Sequence, residues 1–439
     1  MNCHPEEDSF VSCPGRTHLN YIWYLGIFCT IVTYDLEVTG ISTGMLLYSR
    51  SVQLKSGNCK SRFSDIFSAV SDPRMARTRL HDLMDVLFIA LCGMLSGAED
   101  FVAIAEYGRI KHEWFASLLG LPSGIPSHDT FQRVFARLDP DQLRQCLLTW
   151  SDSLRKLSAS NSEEVIALDG KTLRRSFDAV SGTGAIHIVS AWSSALRLSL
   201  GQVKVDHKSN EITAVPLLLK LLDISGCLVT ADAMHCQKAT ARQITEQGGT
   251  FVLAIKKNQP ALYQSVQLFT EEAAKKKYVD YETRTITTVD KGHGRIETRR
   301  YRLIGLPPGI AWADEMQAWH GLQSIGVAES IRDIGGVVTR ETRWYITAIP
   351  VKTTKSAVRF GRAVRYHWGI ENSLHWVLDV CFNEDSCRVR KDNGAENLAI
   401  LRHISLNLLT RDKTTKAGTR TKRLKAGWDN QYLEKLLTN

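Results

Sequence analysis

The sequence has no long hydrophobic run. Its most apolar stretch extends only from Tyr21 to Tyr34, where Asp35 follows, and it is shorter than the ~20 residues that a membrane-spanning helix needs. The stretch also lacks the basic start and the small-residue exit of a good signal peptide. A buried strand or helix is therefore favoured over a membrane anchor, and no membrane partner is expected.

Paired cysteine motifs are also missing. The chain has 10 cysteines, but no two are arranged as Cys-x2-Cys, so a structural zinc site has no support from the sequence. Several cysteines, such as Cys92, lie in apolar runs. This usage is typical of reduced thiols in the core of a cytoplasmic protein.

The composition is that of a soluble globular protein. The chain has 439 residues, of which 44% are hydrophobic and 23% are charged, and this length suits two or three domains. The net charge of +9 and the pI near 9.0 are compatible with a polyanionic partner such as nucleic acid. Basic enzymes without such a partner are common, so charge alone does not identify one.

Residues 1–60 are predicted to form an atypical N-terminal extension, because their helix and strand signals are weak. They contain Gly40-Ile41-Ser42-Thr43-Gly44, which matches the Gly-x-Ser-x-Gly motif of serine hydrolases in form. That motif requires a strand before the serine and a helix after it, and the helix is unclear here. We interpret the match as chance and keep a serine hydrolase as a remote alternative.

Residues 61–157 are predicted to form a helical domain, because apolar residues recur there at helical spacing. The predicted helices span 80–95, 101–119, 128–138 and 141–157. Ser127 is placed to cap the third of them. Arg133 and Arg137 suggest that the last two helices form a DNA-contacting helix-turn-helix, and a plain helical bundle fits the same pattern equally well.

From residue 158 to about residue 410, strands alternate with helices, which predicts an α/β domain with a mixed sheet. The run Val165–Leu168 is continuously apolar, as expected of a central strand covered on both faces. Further strands are predicted at 186–192, 198–205 with a bulge at Gly201, 227–231 and 251–255. A β-rich insertion is predicted at about 260–340, a long helix at 356–379, and a basic C-terminal tail with a mobile end at 411–439.

Three carboxylates are placed where they could meet. Asp169 follows the first core strand, Asp232 follows the fourth, and Glu371 lies on the long helix beside its apolar stripe. The stripe consists of Ala363, Tyr366, Ile370, Leu374, Val377 and Cys381. Each acid has a purely structural alternative, namely a turn, a helix cap or an exposed helix face. Together they predict a shared site at one edge of the sheet.

Three carboxylates at one point repel one another unless hard cations lie between them. Two Mg²⁺ ions about 4 Å apart could activate a water or a 3′-hydroxyl and stabilise the leaving oxygen of a phosphodiester. The sequence therefore predicts a Mg²⁺ cofactor, with Mn²⁺ as its substitute.

The chain resembles the H-repeat-associated transposases, a branch of the insertion-sequence transposases with an acidic (DDE) triad. The resemblance runs from about Phe63 to Leu409, and its motifs occur in order. The matching segments are Ile125–Phe131, Ala167–Thr172, Asn210–Ala214, Thr230–Gln237, Ala254–Pro260, Gly292–Arg295, His367–Asn372, His375–Asp379 and Asn383–Asp385.

The resemblance implies that Asp169, Asp232 and Glu371 are the catalytic and metal-binding triad of an RNase H-like fold. It also implies metal-dependent cleavage and transfer of double-stranded DNA, between the terminal inverted repeats of an insertion sequence and a target. A homodimer on DNA and a cytoplasmic, nucleoid-associated protein are expected.

The sequence departs from related transposases around the glutamate. Those enzymes carry a Tyr, an Arg and a Lys at set offsets, where this chain has Val364, His367 and Leu378. Arg365 and Tyr366 are candidate substitutes. Residues 1–60 do not resemble the start of the family, and they are either an appended segment or the result of a mis-set translation start upstream of Met45.

Further residues are candidates for DNA binding. Lys256, Lys257 and Asn258 follow the fifth strand at the same sheet edge and are predicted to bind phosphates. Arg365, Arg295 with its neighbour His293, and the two helical arginines Arg133 and Arg137 are additional candidates. His235 could orient a metal-bound water, while Trp368 and His375 could stack on an unpaired base or pack in the core.

Two other functions use the same residues. An RNase H-fold nuclease would cleave DNA without joining it, and the same acids serve both reactions. A catalytically silent DNA-binding protein descended from a transposase is the second alternative, and the intact triad argues against it.

Overall fold

The computed structural model describes residues 57–158, 163–177, 184–205, 211–292, 294–307, 315–316 and 318–438. The Gly40–Gly44 motif, the predicted extension up to residue 56, and His293 lie outside the described residues. The described residues belong to one compact unit. Within them, no helix has the length and apolar character that a membrane span requires.

The N-terminal part is helical, as predicted from residue 80 onwards. A helix over 57–67 was not predicted and overlaps the end of the predicted extension, and the helix predicted over 101–119 is two helices. Its helices are α1 (Gly57–Phe67), α2 (Leu83–Leu95), α3 (Phe101–Ile110), α4 (His112–Leu119), α5 (His128–Arg137) and α6 (Pro140–Leu157). Oxygen-bearing side chains accept backbone N–H bonds at several helix starts: Asp82 for α2, Asp100 for α3, and Ser127 for α5, as predicted.

The helices α5 and α6 face the rest of the protein with their apolar sides. The amide of Asn397 donates to the carbonyl oxygens of Phe135 and Leu138 at the end of α5, over 2.7 and 2.9 Å. Ser151 on α6 donates to the carbonyl oxygen of Leu200 in the sheet over 2.8 Å. The two helices therefore pack as part of the core, while Arg133 and Arg137 point to solvent.

A nine-stranded mixed sheet forms the centre, with the strand order β3-β2-β1-β4-β5-β9-β8-β7-β6. The first five strands are β1 (Val165–Leu173), β2 (Ile186–Ser193), β3 (Leu198–Lys204), β4 (Leu228–Ala231) and β5 (Thr250–Ile255). β1, β2 and β3 are antiparallel, whereas β4 and β5 run parallel to β1. Helices α7 (Glu211–Lys220) and α8 (Lys238–Glu246) connect the later strands. The predicted bulge is present where Ala191 pairs with Gly201 and the register then shifts.

The predicted β-rich piece extends this same sheet. It begins with helix α9 (Pro260–Lys275) and continues with β6 (Thr283–Gly292), β7 (Arg295–Gly305), β8 (Ser324–Ile334) and β9 (Val337–Thr347). β9 pairs antiparallel with β5, so the four strands continue the core layer. The last strand extends beyond the predicted end of the insertion at about residue 340, and the piece begins with a helix that was not predicted.

The long helix predicted at 356–379 is divided into three parts. Helix α10 (Thr354–Ile370) leads into a π-helical turn (Glu371–His375), and helix α11 (Trp376–Phe382) follows. The predicted apolar stripe is wrong at Tyr366, which is 44% exposed. Beyond the turn, Val377 and Cys381 are half-buried against the core, and the fully buried positions are Leu378 and Phe382. The π turn adds a residue to the helix repeat, and each residue rotates the face by about 100°.

The C-terminal segment differs from the expectation of a basic tail with a mobile end. After helix α12 (Gly394–Arg411), the chain forms α13 (Thr419–Trp428) and α14 (Asn430–Thr438). Tyr432, Leu433, Leu436 and Leu437 are buried in the same apolar cluster as α2 and α12. The lysines and arginines obscured this apolar face in the sequence.

Candidate active site

The two aspartates are brought together by the parallel ladder. Leu168 pairs with Ala231 at the last position where β1 and β4 run side by side, so Asp169 and Asp232 follow at neighbouring points. Asp169 does not end its strand, contrary to the prediction, because β1 continues to Leu173 in its pairing with β2. The place where β4 stops, rather than the end of β1, defines the site.

Asp232 is fixed by the turn that follows it. One carboxylate oxygen accepts the backbone N–H groups of Met234 and His235, over 3.1 and 3.4 Å. The amide of Asn258 donates to the carbonyl oxygen of Ala233 over 2.7 Å. Asn258 thus supports the loop beside Asp232, which is a different role from the phosphate contact predicted for it.

A buried histidine, His375, lies between Glu371 and Asp169. His375 is one π-helical turn beyond Glu371 and is only 5% exposed. Its Nδ1 atom lies 3.4 Å from Glu371 Oε2 and 3.5 Å from Asp169 Oδ2. The ring therefore lies between the strand acid and the helix acid, and it cannot stack on a DNA base as suggested from the sequence.

The His375 ring changes the pKa values of the two carboxyl groups that it contacts. The hydrogen bond from His375 lowers the pKa of Glu371 from its usual value. Burial alone would raise the pKa of Asp169, but the bond and charge of His375 outweigh it and the pKa is lowered. Burial likewise opposes the charged form of His375, yet the two carboxylates raise its pKa. The cluster therefore favours ionised acids around a protonated imidazole.

A second histidine, His367, faces the site from α10. Its Nδ1 atom lies 3.0 Å from the hydroxyl of Thr230 on β4. Burial lowers the pKa of His367 despite the attraction of Asp169 and Asp232, which favours the neutral ring. His367 stands at the offset where the resemblance implied an arginine.

The donor atoms form two groups that share one residue. Oxygen and nitrogen atoms of Asp169, Glu371 and His375 lie within 4.8 Å of one another, and so do those of Asp169, Asp232 and His235. Asp169 belongs to both groups. Carboxylate oxygens are the ligands that Mg²⁺ and Mn²⁺ prefer, so the donor set fits hard divalent cations on either side of Asp169.

The acids lie in an open cleft of about 700 Å³. Its lining includes Asp169, Asp232 and Glu371 together with Lys256, Lys257 and Arg343. Both lysines are exposed. The cleft thus combines three carboxylates with basic side chains in one lining, and such basic side chains can bind a phosphate backbone.

A second cleft, of about 340 Å³, continues from the first and shares Arg343 and Trp368 with it. Arg295 and Arg365 both line it, so two more of the predicted DNA-binding residues lie close together. Trp368 is 44% exposed and stacks beneath the Arg343 guanidinium at 5.1 Å. The described linings of the two clefts do not include Arg133 or Arg137.

Lys171 is a site residue that the sequence analysis missed. It lies on β1 two residues after Asp169 and contacts Asp379 and Glu384, the latter over 2.8 Å. The motifs Ala167–Thr172 and Asn383–Asp385 had been noted, but nothing in their sequence showed that they meet. The i, i+4 spacing of Glu371 and His375 was visible and could have indicated that pair.

The family assignment rests on profile and sequence matches. Residues 160–408 match the model described as "Transposase DDE domain", and residues 64–151 match the one described as "DDE_Tnp_1-associated". The chain belongs to the DDE transposase family. The DDE transposase match covers all three acids and the whole nine-stranded sheet.

Relatives of this DDE transposase include the "H repeat-associated putative transposase YhhI" of Escherichia coli (strain K12). The two are 39% identical over 374 residues, which is 84% of this chain and 96% of the relative. The predicted resemblance to H-repeat-associated transposases is confirmed. An "Uncharacterized protein in dhlA 3'region" of Xanthobacter autotrophicus is 44% identical over 64% of this chain and 92% of its own length.

Among solved structures, a piggyBac transposase synaptic complex with hairpin DNA aligns with a TM-score of 0.39 and 10% identity. The alignment covers 86% of this chain and 80% of that one. A likeness at this level carries no argument about the site.

Proposed function

We propose that this chain is a DNA transposase that cleaves insertion-sequence ends and joins them to target DNA, with Asp169, Asp232 and Glu371 as its catalytic carboxylates. The observation that carries the proposal is the shared position of Asp169 in two groups of donor atoms. A two-cation phosphoryl-transfer site needs such a bridging acid, with one further acid on each side.

The core sheet supports an RNase H-like assignment. Three antiparallel strands followed by two that run parallel to β1, in the order β3-β2-β1-β4-β5, provide the neighbouring strand positions that the two aspartates need. The four strands β6–β9 then serve as an insertion between β5 and the helix that carries Glu371. This insertion also supplies the wall of the second cleft.

Each acid has a distinct task in this mechanism. Asp169 and Asp232 would hold one cation and Asp169 and Glu371 the other, while His375 keeps Asp169 and Glu371 apart and ordered. When bound, Mg²⁺ or Mn²⁺ would supply the Lewis acidity that activates the attacking oxygen and stabilises the leaving one. In cleavage, water would attack the phosphorus at the element end, the P–O3′ bond would break, and the element would keep a free 3′-hydroxyl while the flanking DNA keeps a 5′-phosphate. In joining, this hydroxyl would lose its proton, attack a target phosphorus and displace the target's 3′-oxygen, which takes up a proton.

The basic residues would bind the DNA backbone and position the scissile phosphate at the acids. Lys256 and Lys257 lie at the rim of the acidic cleft, where they can bind phosphates beside the scissile bond. Arg295 and Arg365 would bind the backbone further along, in the second cleft. Arg133 and Arg137 are exposed on α5 and would contact DNA away from both clefts. A homodimer, which brings two element ends together, completes the proposal, with the protein at the nucleoid.

The first test is cleavage of DNA that carries the flanking terminal repeats, in the presence of Mg²⁺ or Mn²⁺. Asp169→Asn, Asp232→Asn and Glu371→Gln should each lower the rate about a thousandfold or more, because the residues act as a unit. DNA binding, measured by mobility shift, should largely survive. Glu272→Gln on the exposed face of α9 is a matched control that should cleave normally. Normal cleavage by Asp169→Asn would overturn the proposal.

The second test separates transfer from simple hydrolysis. A pre-cut end with a free 3′-hydroxyl is incubated with a labelled target in the same metal buffer. Joined products are expected with the wild type and not with Glu371→Gln. Cleavage of uncut DNA without any joined product would instead assign the chain as a nuclease.

A further inference from the structure

A group of buried and half-buried charges lies beside the proposed active site. Lys171 donates to Asp379 and Glu384, and its ammonium is 4.0 Å from Asp385. Glu384 is buried, and its other oxygen lies 3.7 Å from the buried guanidinium of Arg402. None of these charges belongs to the acidic triad.

The position of Lys171 relates this group to the catalytic acids. Asp169 and Lys171 are two residues apart on β1 and therefore share a face of the sheet. Asp169 contacts His375, while Lys171 contacts Asp379, which is four residues further along the helix. Same-face neighbours on a strand are about 6.7 Å apart, and residues four apart on a helix rise by about 6 Å. The two contacts therefore join β1 to the helix at nearly equal spacing along both elements.

The chain path after α11 completes the arrangement. Asn383 has a positive φ of 51° and ends α11 in a left-handed turn. The turn brings Glu384 back beneath β1, where it meets Lys171. The strand that carries Asp169 is thereby tied to both the helix of Glu371 and the turn that follows it.

Stability alone is a weak reason for such a group. Burying charges costs solvation energy, and well-packed apolar residues of similar volume are often as stable. Fixed geometry is a better reason, because partners outside the ligand shell orient the ligands themselves.

Building on the proposed function, we propose that Lys171 is a positioning residue, whose bonds to Asp379 and Glu384 set the separation of Asp169 and Glu371. Lys171 touches neither DNA nor cation in this role. Its effect is transmitted through the strand and the helix that it joins.

Lys171 could affect the site through its charge alone or by positioning the acids. The two roles predict opposite changes in Mn²⁺ affinity when Lys171 is replaced. Removing a positive charge beside a cation site should strengthen Mn²⁺ binding if charge is all that matters. Losing the positioning should weaken Mn²⁺ binding by about tenfold or more. Mn²⁺ titration of DNA-free protein, followed by the free-ion EPR signal, therefore separates them. Lys171→Met should weaken binding, and equal or tighter binding would overturn the proposal.

Two further variants guard against simple misfolding. Lys171→Met/Glu384→Gln also removes the buried Glu384 carboxylate that has lost its bond to Lys171, and it should regain melting temperature, while Mn²⁺ affinity and DNA cleavage stay low. Lys171→Arg keeps the charge and can donate to both carboxylates, so it should retain part of the Mn²⁺ affinity and part of the DNA cleavage. If the double variant recovered both Mn²⁺ affinity and stability, these charges would only stabilise the fold, and the positioning role would be wrong.

The control variants separate failure of this inference from failure of the proposed function. Lys204 lies on β3, two strands from β1, and pairs with Glu396 on α12. Lys204→Met breaks this ion pair and should leave Mn²⁺ affinity unchanged. If Asp169→Asn binds Mn²⁺ like the wild type, the proposed function itself fails. If Asp169→Asn loses Mn²⁺ while Lys171→Met retains it, only the positioning role fails.

Discussion

Leu168 and Ala231 form the last pair of the parallel β1–β4 ladder, and each is followed directly by an aspartate. The backbone pairing of two apolar residues thus sets the position of two charged ones. A slip of this register by one residue would turn every side chain of β1 to the opposite face of the sheet and move Asp169 away from Asp232. The site therefore inherits its geometry from the core.

The π-helical turn at Glu371–His375 can be tested by deleting Ser373. The deletion should return the helix to a regular repeat and keep the buried Ile370, Leu378 and Phe382 on one face, because the π turn already absorbs the extra residue. The separation of Glu371 and His375 falls from four residues to three, so their contact should be disturbed. We expect loss of DNA cleavage with little change in melting temperature. Full cleavage by the deletion variant would show that the turn has no function.

The raised pKa of His375 predicts proton release when a cation binds. Asp169 and Glu371 outweigh burial and favour the protonated ring, and a cation that neutralises them should remove this support. Calorimetric Mn²⁺ titrations near pH 6.5, in two buffers of different ionisation enthalpy, count the protons. The wild type should release more protons per site than His375→Gln. Equal release by both proteins would contradict the arrangement.

Arg423 on α13 should be essential for folding. Its guanidinium is buried and donates to the carbonyl oxygens of Met94, Ala98 and Cys381, at the ends of α2 and α11. Arg423→Met removes the guanidinium donor from these carbonyls, and each buried group left unsatisfied costs about 1–3 kcal/mol. We expect a loss of about 3 kcal/mol or more in unfolding free energy, measured by urea denaturation. Arg420→Met, at an exposed position of the same helix, should change little.

His403 predicts a specific acid sensitivity. Burial lowers its pKa to about 4, and its Nδ1 atom lies 2.6 Å from the hydroxyl of Ser199. Because the unfolded chain binds the proton more readily, this group's contribution is complete above about pH 6.5 and is lost as the pH falls towards 4. At pH 5 the loss should be about 2 kcal/mol.

The measurement is the unfolding free energy of wild type and His403→Gln at pH 7.5 and pH 5. The variant lacks the titrating ring, so its stability should fall less between the two pH values. A parallel fall in both proteins would assign the acid sensitivity to other groups.

Much of the core could be predicted from the sequence, because its signals are local. The continuous apolar run before Asp169 and the helical spacing in the N-terminal part both reflect burial of nearby residues. The family motifs then led to the three acids, which the structure brings to one cleft.

The remaining features depend on contacts between distant parts of the chain. The π turn is invisible to a periodicity argument that assumes 3.6 residues per turn. The pairing of Lys171 with Glu384 joins two segments far apart in sequence, and either residue alone suggests an exposed charge. The C-terminal helices were missed because basic residues are more numerous in the segment 411–439 than the apolar residues, such as Leu433, that form the buried face.

The most direct test of the account is anomalous diffraction at the manganese edge, from crystals of the protein bound to a terminal-repeat end and Mn²⁺. We predict anomalous density within about 2.5 Å of an Asp169 carboxylate oxygen, shared with Asp232, Glu371 or both. The Asp169→Asn complex should lack this density. Manganese bound only away from Asp169 in a cleavage-competent complex would contradict the account.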